Sequence, residues 1–146
     1  MRRTHRHEYE RIDRVLENQQ NADRVSAAAV ELSGRQRITA IVGPTVIGHT
    51  ARMLGRYCPP SPIVGAAHNE HTARKLTLSA GVSPVNILGS QAGLREVFRD
   101  SYLGLEELRD DNDDPIVKKE NTVVITTGCP PNTPATSNLI ALYTIR

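Results

Sequence analysis

The chain has no tryptophan, one phenylalanine and four tyrosines, so aromatic residues make up 3% of it. A core can then be built only from Val, Ile, Leu and Ala. Cysteine is also scarce. Cys58 and Cys129 are too few for a secreted disulfide framework and lack metal-ligand spacing, so reduced thiols are expected. No apolar run is long enough to span a membrane, and the start does not combine a charged segment with an apolar one as a signal peptide does. A cytoplasmic protein without membrane contact is expected. A net charge of +2 is too small to argue for nucleic acid. What remains is 146 residues, room for one domain with a real core. The basic cluster 1–7, Met1 to His7, reads as a loose terminus ahead of it.

The stretch 38–57 organises the rest. Ile38, Ala40, Ile41 and Val42 form the short apolar run of a strand buried on both faces. Gly43, Pro44 and Gly48 are expected to end that strand, and a helix should follow and stop at Pro59. Thr45, His49 and Thr50 put hydroxyls and a ring at the mouth of that helix, where an anion could meet free N–H groups. An ordinary connecting turn has the same chemistry.

Around it, helix and strand signals alternate. Residues 8–34 carry an apolar helical stripe (Ile12, Val15, Leu16, then Val25, Ala28, Ala29, Leu32), with a break or recap expected near Asn21 or Asp23. Residues 62–67 read as a second strand, and Asn69 caps a helix that should reach Ala80 and stop at Gly81. A third strand spans 83–88 with Pro84 near its start, and a helix spans 91–109. The acidic run 110–115 lacks the glycine and terminal glutamate of a calcium loop and reads as a solvated connector. Strands at 122–127 and 139–145 are joined by a loop too short for a crossover helix, so the last should run antiparallel. The expected fold is a three-layer α/β/α sandwich around a mostly parallel five-stranded sheet with an antiparallel last strand.

These residues carry a family resemblance. Arg56, Tyr57 and Pro59, then Pro62, Ile63, Asn69, Thr72, Ala73 and Arg74, then Gly81, Val82, Pro84 and Val85 follow in the order and spacing of the C-terminal domain of pyruvate kinase. Ala27–Val30 and Ala40–Val42 resemble its first helix and strand, and Val123–Ile125, Gly128 and Thr136–Asn138 its close. The resemblance covers nearly the whole chain.

Whole pyruvate kinases transfer phosphoryl from phosphoenolpyruvate to ADP in a barrel that holds magnesium and potassium. Nothing in this chain resembles the barrel, so no catalytic residue and no cofactor is carried over. The resemblance implies instead a domain that binds a phosphorylated sugar effector and helps build a homo-oligomer. It assigns the effector loop to Thr45, Gly48, His49 and Thr50, with Thr136 and Asn138 from a second loop. His49 stands where the family has Arg or Lys, so its positive charge requires protonation. Ile47 replaces a small residue, Val46 a position that is often polar, and Pro134 and Ala135 a glycine. A free-standing protein that reuses the fold for another phosphorylated ligand is the alternative.

Other constellations are weaker. His68 and His71 could share a metal if one helix carried both, but no third ligand is evident. Neither cysteine has an evident base, and no Ser-His-Asp arrangement or Walker-type loop is present. The closing strand, with Leu139, Ile140, Leu142, Tyr143 and Ile145, is unusually apolar for a solvent-facing edge and predicts self-association.

Overall fold

A computed structural model describes residues 2–35, 37–87, 93–129 and 136–146, with side chains from residue 14 onward. The described residues form four helices and five strands, alternating up to β4: α1 (Arg2–Arg35), β1 (Ile38–Thr45), α2 (His49–Gly55), β2 (Ile63–Ala67), α3 (Glu70–Leu76), β3 (Val82–Asn86), α4 (Leu94–Glu106), β4 (Thr122–Thr127) and β5 (Leu139–Thr144). The sheet order is β3-β2-β1-β4-β5, with β5 antiparallel to β4 and every other pair parallel. The expected fold class is therefore observed.

From β1 the chain steps outward through α2 and α3 to the β3 edge, then reverses across the sheet through α4 to β4. Right-handed crossovers in opposite directions put their helices on opposite faces. Accordingly α1, α2 and α3 cover one face, where Ala29, Ile41, Ala51, Leu54, Ile63, Leu76 and Val124 are buried. On the other, α4 packs over Val42, Val64, Val85, Val123 and Ile125 through Leu105, with Phe98 and Tyr102 partly buried at the margin. The helical spacing of Val97, Ser101, Gly104 and Leu105 supplies the buried stripe of α4.

Several boundaries differ from expectation. β1 continues through Gly43 and Pro44 to Thr45. Pro44 is tolerated in a central strand for a geometric reason. Ile41 donates its N–H to Pro62 on the β2 side, so by alternation the nitrogen of Pro44 faces β4, whose pairing with β1 ends at Val42. Pro84 lies in β3, an edge strand. α1 is unbroken at Asn21 and Asp23 and starts at Arg2, so it includes residues 2–7 of the expected loose terminus; Met1 lies outside the described residues. α2 ends at Gly55, short of Pro59, and α3 ends at Leu76, short of Ala80. Gly81 nevertheless has the left-handed backbone expected of it, with φ of 73°. α4 is shorter than read, and the start expected at Gln91 lies outside the described residues, as do Leu88, Pro134 and Ala135. The acidic connector forms a tight turn: the Asp110 carboxylate accepts N–H bonds from Asn112 and Asp114, and Arg109 bridges to Pro115. Those bonds, Asp114 foremost, hold the Asp110 carboxyl below its ordinary range.

Candidate functional site

Between β1 and β4 the direction of winding reverses. In open α/β sheets the crevice at the carboxyl ends of the strands flanking such a reversal is where ligands bind. Two connections leave the sheet there: the β1–α2 turn, residues 46–48, and the loop from Gly128 to Asn138, of which residues 130–135 lie outside the described set. The two are joined directly. The hydroxyls of Thr50 and Ser137, separated by 87 residues in sequence, are 2.8 Å apart and buried.

Each connection is held by its own polar contacts. Gly48 donates its N–H to Thr45 Oγ1 at 2.8 Å, and it adopts the left-handed conformation, φ 85°, that carries the chain into α2. From α3, Thr72 Oγ1 donates to the Val46 carbonyl at 2.9 Å, while Asn69 caps α3 by accepting from the Thr72 N–H. On the β4 side the Asn138 amide grips Cys129 twice, accepting from its N–H at 2.7 Å and donating to its carbonyl at 2.8 Å. Asn138 also returns its N–H to Thr127, the last residue of β4. Thr136 crowds Gly128 so closely that a side chain at 128 would strike its carbonyl.

The six residues assigned from the sequence thus fall in or beside two connections at one end of the sheet: Thr45 ends β1, Gly48 is in the turn, His49 and Thr50 open α2, and Thr136 and Asn138 are in the second loop. Their donors are partly committed. The Gly48 N–H is taken by Thr45 Oγ1, which accepts it, and the hydroxyl of Thr50 is engaged by Ser137. His49 lines a cavity of about 430 Å³ between α1 and α2, together with Gln20, Asp23, Met53 and Arg56. Its Nε2 is buried without a hydrogen-bond partner among the described residues. Burial, and secondarily the charge of Arg52, lower its pKa, so protonation requires a pH below the ordinary histidine range. Ser137 and Thr72 support these loops; the resemblance includes both in its motifs but gives neither a role at the site. A threonine three residues after a helix cap is a recognisable inward position; nothing local marks Ser137.

The histidine and cysteine readings also find their places. His68 follows β2, where burial lowers its pKa and the charge of Asp100 partly opposes the shift, whereas His71 is exposed in the first turn of α3. Cys58 and Cys129 are free and exposed. No helix among the described residues is long and apolar enough to cross a membrane.

Comparison with known proteins agrees with the topology. Residues 23–143 match the family described as "Pyruvate kinase, alpha/beta domain". The chain belongs to that family. It is similar to the pyruvate kinase of Sporosarcina psychrophila, 29% identical over 126 residues, which is 83% of this chain and 20% of that protein. The Bacillus licheniformis pyruvate kinase is 34% identical over 108 residues, covering 74% of this chain and 17% of its own length. For the Clostridium acetobutylicum enzyme the figures are 26% identity over 134 residues, 88% and 26%. The chain therefore spans between a sixth and about a quarter of these relatives.

Proposed function

We propose that this α/β domain is an effector-binding and assembly unit of pyruvate kinase, and that it takes a phosphorylated sugar at the crevice between β1 and β4. The observation that carries the reading is the Thr50–Ser137 hydroxyl contact, which couples the two connections at the winding reversal. A ligand phosphate would compete for those hydroxyls and separate or reorient the two connections, which turns local binding into movement of one half of the sheet against the other. The phosphoryl transfer chemistry belongs to the barrel of the whole enzyme. Assembly would use β5, an edge strand with Leu142 and Tyr143 exposed. With its pKa lowered, His49 is a poor substitute for a fixed cation, so weak binding that strengthens only on acidification is expected.

Titration with a sugar bisphosphate at about pH 6 and pH 8, followed by NMR at residues 45–50 and 136–138, tests the effector role. Saturable shifts in both segments, lost on Thr50→Ala, are the expected result. Shifts in neither segment at either pH would overturn it.

A further inference from the structure

Aromatic residues are rare here, and their placement is uneven. Of the five in the chain, Phe98, Tyr102 and Tyr143 line a single cavity of about 560 Å³ between α4 and β5, together with Arg95, Glu96 and Arg99. That volume is in the range that holds a small organic ligand. Tyr102 and Tyr143 do not stack. Their rings are tilted by 55° with centroids 6.2 Å apart, which leaves ring faces available beside Phe98.

The charges of the lining are not equivalent. Glu96 is the third residue of α4, and its carboxylate folds back against Gly93 at the helix start, where a Cβ on that glycine would lie 2.8 Å from Oε2. The Arg99 guanidinium is held by Asp100 at 3.0 Å. The Tyr102 hydroxyl is taken by Glu106. Arg95 alone among the lining cations has no ion pair or hydrogen bond with another described residue. A guanidinium unpaired among the described residues, beside three rings, matches a ligand with a flat face and one anionic group, which a guanidinium can hold with two parallel bonds.

We propose that the α4–β5 cavity binds a small aromatic anion, a single ring bearing a phosphate or carboxylate, with Arg95 holding the anionic group and Phe98, Tyr102 and Tyr143 contacting the ring. The site is separate from the β1–β4 crevice and does not depend on an effector binding there. Because Tyr143 belongs to β5, occupancy bears on the edge through which assembly is expected.

The test uses phenyl phosphate as probe, with inorganic phosphate and phenol as its two halves, titrated into the full chain and followed by NMR and calorimetry. Phenyl phosphate should bind saturably, shift residues 95–102 and 143, and bind at least about tenfold more tightly than either half. Arg95→Gln, an exposed substitution whose folding is confirmed by circular dichroism, should weaken it roughly tenfold or more. Unchanged binding in Arg95→Gln would overturn the assignment. So would inorganic phosphate binding as tightly as phenyl phosphate, or shifts confined to residues 45–50 and 136–138, which would give the anion to the crevice instead.

Discussion

The two faces of the sheet solve the same packing problem with different means. On one, three helices share the cover, and α2 and α3 are only seven residues each. They settle through small residues: Ala51 lies over Gly65, whose missing Cβ would sit 3.3 Å from the Ala51 methyl and 2.7 Å from Leu76 Cδ1. On the other, α4 is the single helix among the described elements, helped by Leu108, Ile116 and Val117 from the segment that follows it. It approaches β3 through Gly104, where a Cβ would come within 2.4 Å of Val85 Cγ1, and three of the few aromatic side chains gather at its margin. A face shared by short helices can be filled with aliphatic groups. A face held by one helix leaves a flank open beside the edge strand, and larger rings partly close it. The candidate aromatic-anion cavity is a consequence of that asymmetry.

Truncating the central leucine on each face is the most severe way to probe the comparison. Leu54 (0% exposed) and Leu105 (1% exposed) are equally buried. Leu54→Ala and Leu105→Ala should each cost about 2–5 kcal/mol in urea unfolding, with little change in slope. If Leu105→Ala costs less than about 1 kcal/mol, α4 docks loosely and the contrast between faces is overstated.

A smaller effect is expected from overfilling. Gly104→Ala gains helix propensity but drives a methyl into Val85, a stiff β-branched side chain on a strand, for a net loss of roughly 1–2 kcal/mol. Gly65→Ala would meet Leu76 Cδ1 at 2.7 Å, the end of a side chain with rotatable bonds, and Val82 Cγ1 and Ala51 Cβ at 3.2 and 3.3 Å, so it should cost less than the 2.4 Å encounter at Gly104. Thermal melts of the two variants rank them, and the reverse order would show that the three-helix face is the tighter one.

Least disruptive is a pH titration, since each face has one desolvated histidine. His49 adjoins α1, and His68 is near Asp100 of α4; burial leads in lowering both from 6.5. A histidine whose folded pKa is lowered binds fewer protons when folded. Stability is then fully present above the unfolded value near 6.5 and declines as pH falls below it. Arg52 adds to the shift at His49, whereas Asp100 opposes it at His68. Asp100→Asn should therefore lower the NMR midpoint of His68 and leave that of His49 where it was; equal movement of both would deny that the two faces are electrically separate.

Much of this architecture is legible in the residues. The β1 apolar run, the Asn69 cap and the turn at Gly81 act through local backbone chemistry, which sequence records directly. Pro44 reads as a strand breaker, yet its acceptability depends on where β4 stops pairing, a tertiary fact. Helix ends read too long for a similar reason: the turns after Gly55 and Leu76 keep helical-looking composition. At the candidate site the residue types are visible in the sequence but their commitments are not. Gly48 reads as a free donor, whereas its N–H is taken by Thr45 Oγ1 within the same turn. Ser137 acquires meaning only when folding places it against Thr50.

The pairing of β1 with β4 has a consequence for the order of assembly. β1, β2 and β3 can zip up in sequence through short crossovers, and β4 with β5 can close as a hairpin-like pair, but the seam between the two groups joins Ile38 to Thr122. Contacts so far apart in the chain carry the largest loop-closure entropy and form late. The helix α1, which packs on β1, β4 and β5, is the clasp that closes over that seam. In hydrogen exchange, the amides across β1 and β4 should then open together with the C-terminal half of α1. A ligand in the crevice above would slow that opening by its own binding free energy.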